Sequence, residues 1–595
     1  MPSMLGSITI TVFSVLLATP TNAQWTLTNG GSTGVVAMQL TVATETSVVI
    51  LDKFEKNPLH DEHDKPVWGA VYSTTSNAAR PLHVVTNSFC ATGTWLSNGT
   101  LANVGGNQRE NSANSTASNG IQGRFEFYCL NFRIRLFNPC ADSDSCDIYE
   151  SPQVRGPTRY PHLIGKPSNQ RIRLTSSRWY PSSARLSDGS SFIYGGAYGG
   201  AWTNSEWINN PTYEFYPPKN IHGHNGLQIP SQFLKDSLPH NMFPHVILLP
   251  DNDLFVAANN MAMKFSWQTN TEKRLPSLPN GQRVAYPMSA PAVLLPLTWE
   301  NNYRPEVILF GGSELPDTLK ESEVSSQSPT SRQVSRIALD ATGIATGWST
   351  ETMPEGRVMA DATILPDGKI LIVNGAKTGT AGFGNVPDQV GQSNADNPAF
   401  TPVVYDPAAP AGTRFSSAGM PTSNIARLYH SASTLLPDGR VMIAGSSPNL
   451  DVSTTKYKTE YQVEYLNPPY MSKVRPSYTG LPSTWNYGQD ISLAVKLPPA
   501  AHQVEVSLMD LGFSTHSVHM DMRMVKLKCT LSLDQRTLTV TGPPNAAVYP
   551  PGPAWLYILA DGVPSKAKKV LIGNGSSPPV NQGAIDNMLA NTGGP

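Results

Sequence analysis

The stretch Leu436-Pro437-Asp438-Gly439-Arg440-Val441-Met442-Ile443-Ala444-Gly445 decides the fold. An apolar residue leads into a turn, and Asp-Gly supplies the positive φ that a two-residue hairpin connection needs. Arg440 to Ala444 is a short run rich in β-formers. The glycine after it permits close approach of another backbone. The same order of parts returns at Leu96-Ser97-Asn98-Gly99 to Gly105-Gly106, at Leu186-Ser187-Asp188-Gly189 to Gly195-Gly196, and at Leu365-Pro366-Asp367-Gly368 to Gly375. A worn copy runs from Leu249-Pro250-Asp251 to Ala258, and one with a longer turn from Leu294-Leu295-Pro296 to Gly311-Gly312. A weak first copy lies in Gly34 to Lys53.

Units of roughly 45 to 90 residues, each a small sheet, bury their faces only by stacking on neighbours. Seven copies predict an all-β chain with a seven-bladed kelch-type β-propeller. An array of β-sandwiches is the competing reading, and near-identical hairpins at irregular spacing fit blades with variable loops better. After Asn449 the repeat stops. Strands of another rhythm follow, among them Ile491 to Val495, Val504 to Leu508 and Trp555 to Leu559. They predict a C-terminal immunoglobulin-like β-sandwich. The expected division is a signal peptide over 1–23, the propeller over 24–463, the sandwich over 464–573 and a loose polar tail over 574–595.

Composition narrows the function. Lys+Arg is 43 against Asp+Glu 44, a balance without the basic excess that nucleic-acid binding requires. Ile8 to Ala18 is apolar and Thr21-Asn22-Ala23 offers a cleavage site, so a secreted, extracellular protein is expected. That run is shorter than a bilayer span, and no later segment reaches the ~18 apolar residues that one needs; no membrane association is expected. The triplets at Asn98, Asn114 and Asn574 are N-glycosylation sequons and point to a glycoprotein. The cysteines are Cys90, Cys129, Cys140, Cys146 and Cys529. Cys140 and Cys146 are close enough for a disulfide loop, and Cys129 with Cys529 is a further pairing that the sequence leaves open. An odd cysteine then remains, Cys90.

Stepping back nine residues from the turn glycine of each good repeat isolates a chemical set. Gly99 leads to Cys90, Gly189 to Tyr180, and Gly439 to His430 with Tyr429 just before it. The same step gives Met359 from Gly368 and Phe243 from Asn252, so polarity is not a general feature of the position. Equivalent positions of successive blades form a ring about the propeller axis, which brings these residues together at one end of the channel. Each alone has a plainer explanation: a buried cysteine is usually a small hydrophobe, a tyrosine beside Trp179 is usually core, and a Tyr-His pair is often structural.

Here a resemblance becomes specific. Asn87-Ser88-Phe89-Cys90-Ala91-Thr92-Gly93 resembles the cross-linking cysteine motif of the galactose oxidase and glyoxal oxidase family of copper-radical oxidases. Arg178-Trp179-Tyr180-Pro181-Ser182-Ser183 resembles its cross-linked tyrosine motif, and Arg427-Leu428-Tyr429-His430-Ser431 its axial tyrosine and first histidine ligand. Thr515-His516-Ser517-Val518-His519 resembles the second histidine motif, contributed by the sandwich. The likeness runs from Met38 to Gly573, and its wording favours the glyoxal oxidase branch. It implies one copper ion held by Tyr180, Tyr429, His430 and His516, since imidazole and phenolate suit Cu(II). It also implies a Cys90–Tyr180 thioether that stabilises a tyrosyl radical, and Tyr429 as general base. No dinucleotide fingerprint is present, so the second electron of a two-electron oxidation needs such a store. His519 competes with His516 as the ligand, and the motif, which places the ligand directly after Thr, favours His516. Trp202 and Tyr198 are positioned to shield the radical. His60, His63, His222 and His224 read as surface or structural residues.

The implied activity is oxidation of small aldehydes of the glyoxal and methylglyoxal type to acids, with O2 reduced to hydrogen peroxide. A copper-radical oxidase of alcohols or sugars, and a non-catalytic kelch-type binding propeller, are the alternatives. The resemblance further implies functional coupling to peroxidases and a monomer.

Overall fold

The computed structural model describes residues 24–107, 134–140, 146–150 and 172–592. The signal-peptide assignment over 1–23, the sequon at Asn114 and Cys129 lie outside the described residues. The repeat turn is built the same way in five places. Leu96, Leu186, Leu249, Leu365 and Leu436 each donate their amide to the carbonyl four residues on, at 2.8–2.9 Å. The Asn or Asp side chain in the turn accepts the amide two residues ahead of it, as Asp438 does from Arg440 at 2.9 Å. Gly439 takes φ +94 and follows a tight turn closed by its own amide on the Leu436 carbonyl. The connection is therefore a three-residue loop with left-handed backbone at the glycine alone, not the two-residue turn expected: the ring of Pro437 forbids positive φ at the first loop position.

Among the described residues the fold comprises seven antiparallel four-stranded units, one of them extended by a C-terminal hairpin. In chain order their first strands are Gln39–Val42, Thr92–Trp95, Ser182–Arg185, His245–Leu248, Ala292–Leu294, Asp361–Ile364 and Ser431–Leu435. The last unit takes its outer strand from the opposite end of the chain, Thr26–Ser32 paired with Gln462–Asn467. The strand Gln462–Asn467 also pairs with Val441–Gly445, so it crosses the division placed at 463/464 and stays whole in the repeat region.

After it come two sheets packed face to face. One holds Ser477–Thr479, Asp490–Lys496, Thr537–Thr541 and Cys529–Leu531; the other is centred on Val504–Asp510 and Gly552–Ala560. Trp485, Leu493, Val506, Leu538 and Ile558 fill the space between them. From this sandwich projects the hairpin Phe513–Thr515 and Val518–Met520. It pairs with Gln39–Val42 and packs against the first strand of every one of the seven units. Residues 574–592 are not the loose tail expected. Asn581 caps the helix Gln582–Asn591 by accepting the Ala584 amide, and Ala584, Ile585 and Met588 are buried beneath it. Cys140 and Cys146 form a disulfide, while Cys529 holds a free thiol 3.6 Å from the Val504 carbonyl.

Candidate metal centre

The five positions reached by the nine-residue step share one backbone state. Cys90, Tyr180, Phe243, Met359 and His430 have φ of 57°, 60°, 48°, 61° and 65°, in the left-handed region that non-glycine residues rarely enter. The Tyr180 amide donates to the Cys90 carbonyl at 3.2 Å and the Phe243 amide to the Tyr180 carbonyl at 2.9 Å. Neighbouring units are thus stitched together at these positions. Buried arginines anchor the loops that carry them. Arg178 donates to the carbonyls of Gly195 and Thr212 and pairs with Glu214. Arg427 does the same with Gly445, Gln462 and Glu464.

The structure brings together all five residues singled out from the sequence, and all are buried. Tyr180 and Tyr429 hydroxyls are hydrogen-bonded to each other. The Cys90 sulfur lies 3.2 Å from Nε2 of His516, and the Tyr180 ring packs against the same imidazole with centroids 5.1 Å apart. The imidazole centroids of His430 and His516 are 5.0 Å apart. Donor atoms of Cys90, His430 and His516 lie within 4.8 Å of one another.

Both histidines are set to offer Nε2. Nδ1 of His430 faces the Ser447 carbonyl at 2.9 Å, which only accepts, so Nδ1 carries the proton. Nδ1 of His516 faces Thr515 Oγ1 at 2.6 Å, and that hydroxyl donates onward to the Met38 carbonyl, so it too accepts. Burial, reinforced by the neighbouring His516 ring and the Lys53 charge, pushes the His430 imidazole well below its ordinary pKa. Burial alone brings His516 to about 3. Both rings are therefore neutral, the state a metal requires. Burial, with the neighbouring thiol and phenols, raises the Tyr180 and Tyr429 phenols, and burial raises the Cys90 thiol.

The donor set fits a copper ion. Nε2 of His430 is buried without any hydrogen-bond partner, which is costly unless something binds there. Two neutral imidazoles and two phenols at one point are the nitrogen and oxygen donors that suit Cu(II).

Other assignments change. His519 stands apart from this cluster, on the strand Val518–Met520 against Gly512, and His516 is the histidine at the centre. Trp202 is buried with its Nε1 on the Ala381 carbonyl at 3.2 Å, and Tyr198 is 41% exposed. The rings that cover Tyr180 are instead Trp179, Tyr286 and Phe243, with centroids at 4.3, 4.6 and 4.8 Å. Phe89 and Phe383 flank His430. The nine-residue step reaches Phe243 from Asn252, but an apolar ring carries no chemical signal in the sequence. Tyr286 carries no such landmark, because the unit that follows it has the long, glycine-free turn. His60 and His222 make local contacts, with Asp64 and with the Trp267 carbonyl.

Comparison with known proteins agrees with the geometry. Residues 165–470 match the family described as Glyoxal oxidase N-terminus, and residues 475–572 match Galactose oxidase-like, Early set domain. Aldehyde oxidase GLOX of Vitis pseudoreticulata is 30% identical over 567 residues, covering 90% of this chain and 95% of that protein. The chain belongs to the glyoxal oxidase family. Aldehyde oxidase GLOX1 of Arabidopsis thaliana, also 30% identical, covers 83% of this chain and 72% of its own length. A solved fungal alcohol oxidase of the AA5 family in complex with copper superposes with a TM-score of 0.65 at 16% identity, over 93% of this chain and all of that one; it shares the fold. This glyoxal oxidase family member is an oxidase of the glyoxal oxidase type, nearly all-β, with its early set domain supplying the hairpin that carries His516.

Proposed function

We propose that this chain is a secreted copper-radical oxidase that converts small aldehydes of the glyoxal and methylglyoxal type to carboxylic acids. The observation that carries the reading is the meeting of Cys90, Tyr180, Tyr429, His430 and His516 in one buried cluster. A binding platform has no use for that set. On this reading the seven sheets are the blades of a propeller, which is supported by one hairpin touching the first strand of each. The strand Thr26–Ser32, completing the last blade, closes the circle.

His430, His516, Tyr180 and Tyr429 would hold the copper. Bound there, copper supplies a one-electron acceptor and a Lewis-acid seat for a substrate oxygen. An aldehyde reacts as its hydrate, which presents a hydroxyl-bearing carbon. Tyr429 takes the hydroxyl proton. Tyr180, joined to Cys90 through sulfur, is the one-electron store of the protein itself: its oxidised ring accepts the hydrogen atom from the substrate carbon. The stoichiometry is RCHO + H2O + O2 → RCOOH + H2O2. The burial of the cluster under Trp179, Tyr286 and Phe243 keeps water from the oxidised ring. The protein acts as a monomer in the extracellular space, where its peroxide serves peroxidases.

Full-length protein tested for copper content and for peroxide release with glyoxal, methylglyoxal, galactose and aliphatic alcohols decides the matter. Stoichiometric copper and peroxide from the aldehydes are expected. Peroxide from galactose or alcohols alone would make it an alcohol or sugar oxidase, and neither copper nor peroxide would make it a binding propeller.

A further inference from the structure

We propose that Tyr286 is a specificity-determining residue of this site, whose hydroxyl donates a hydrogen bond to an oxygen on the carbon next to the reacting one. The site then favours aldehydes that carry a neighbouring carbonyl over simple alkanals. This rests on the aldehyde-oxidase reading above. The Tyr286 ring lies 4.6 Å from Tyr180 and 5.9 Å from Tyr429, centroid to centroid. The bond between hydroxyls joins Tyr180 and Tyr429 and does not include Tyr286. Tyr180 and Tyr429 would be engaged with the metal and the reacting carbon, whereas the Tyr286 ring covers Tyr180 and its hydroxyl takes no electron or proton from the substrate.

The position is held from three sides. The Tyr286 amide donates to the Met242 carbonyl at 3.1 Å, and Pro287 accepts the Ala381 amide at 2.9 Å. Gly382 leaves room for the hydroxyl: a Cβ there would sit 3.0 Å from the Tyr286 oxygen. A phenol carries its proton at neutral pH, so this hydroxyl is a donor. A substrate oxygen on the neighbouring carbon, two bonds from the reacting one, gives the donor its partner. An alkanal leaves it unpaired, which weakens binding in the transition state.

Methylglyoxal and propanal differ in that one oxygen. In copper-loaded Tyr286→Phe, the ratio of kcat/KM for methylglyoxal to that for propanal should fall about tenfold, the value of one lost hydrogen bond. Copper content and the Cu(II) paramagnetic resonance signal should match those of the wild-type protein. An unchanged ratio, or a fall accompanied by loss of copper, overturns the proposal and leaves Tyr286 a packing residue. If the wild-type protein oxidises alcohols but no aldehyde, the aldehyde-oxidase reading itself fails and takes this inference with it.

Discussion

Cys90, Tyr180 and His430 sit in left-handed backbone, a state that costs on the order of 1–3 kcal/mol per residue and persists only where the surroundings enforce it. Here the anchors are buried arginines and amide-to-carbonyl bonds between neighbouring units. Cys90→Ser should keep its copper and lose turnover by about two orders of magnitude, roughly 2.7 kcal/mol of barrier; steady-state peroxide release checks this, and full activity would refute the radical scheme. The intact mass of reduced, deglycosylated wild-type protein should be lower by one S–H and one C–H hydrogen, and that of Cys90→Ser should show no such deficit. The three ring residues were legible because the turn glycines set a register from which to count. Tyr286 was not, since its position depends on a loop packed against Met242 and Ala381, far away in sequence. A different residue governs part of the pH response. His83 is raised to about 9, chiefly by its bond to Asp147 at 2.6 Å, with Glu62 at 2.9 Å on the other nitrogen. Its folded pKa lies above the unfolded value of 6.5. The stabilisation is thus complete below that value and is lost as pH rises through about 9. Denaturant unfolding should find His83→Gln less stable than the wild type at about pH 6, with the gap closing by about pH 10; a gap independent of pH would contradict the assignment.

At the scale of single elements, the hairpin Phe513–Thr515 and Val518–Met520 positions half of the metal site. Gly93 makes its seat: a Cβ at Gly93 would lie 2.4 Å from the Phe513 ring, which cannot move without shifting the hairpin and His516 with it. Gly93→Ala should destabilise the protein by about 1–3 kcal/mol, the usual cost of overpacking, and lower copper occupancy measured by metal analysis. The Thr515-His516 motif was readable in the sequence, but the depth of its insertion was not, because that depends on long-range packing against seven separate strands. The strand Thr26–Ser32 was missed for the same reason: its partner Gln462–Asn467 lies at the other end of the repeat region. Removing residues 24–32 exposes the edge of Gln462–Asn467 and uncovers the core around Val441, Ile443 and Leu466, and should lower the melting temperature measured by calorimetry. The C-terminal helix was hidden by its polar flanks, although Ala584, Ile585 and Met588 share one face.

Over the whole molecule, the site exists only while the sandwich stays docked on the repeat region. A buried charge network fastens them together. Arg185 of the third unit pairs with Asp510, its amide donates to Asp521 at 2.7 Å, and Arg523 donates to the carbonyls of Leu248 and Val548. Removing one partner of a buried pair strands the other, so Asp510→Ala should cost about 3–5 kcal/mol and release copper before the repeat region unfolds, seen as metal loss preceding the main thermal transition. The repeat made the sheets legible from the sequence and the motifs made the cluster legible. The fastening was not, because Arg185, Asp510 and Asp521 carry no pattern until the fold brings them together. The account stands or falls on one copper ion shared by two domains, and anomalous diffraction at the copper edge from a metal-loaded crystal tests it most directly. The account predicts a single strong peak bounded by Nε2 of His430, Nε2 of His516 and the hydroxyl oxygens of Tyr180 and Tyr429; a peak elsewhere, or one that touches residues of only one domain, would contradict it.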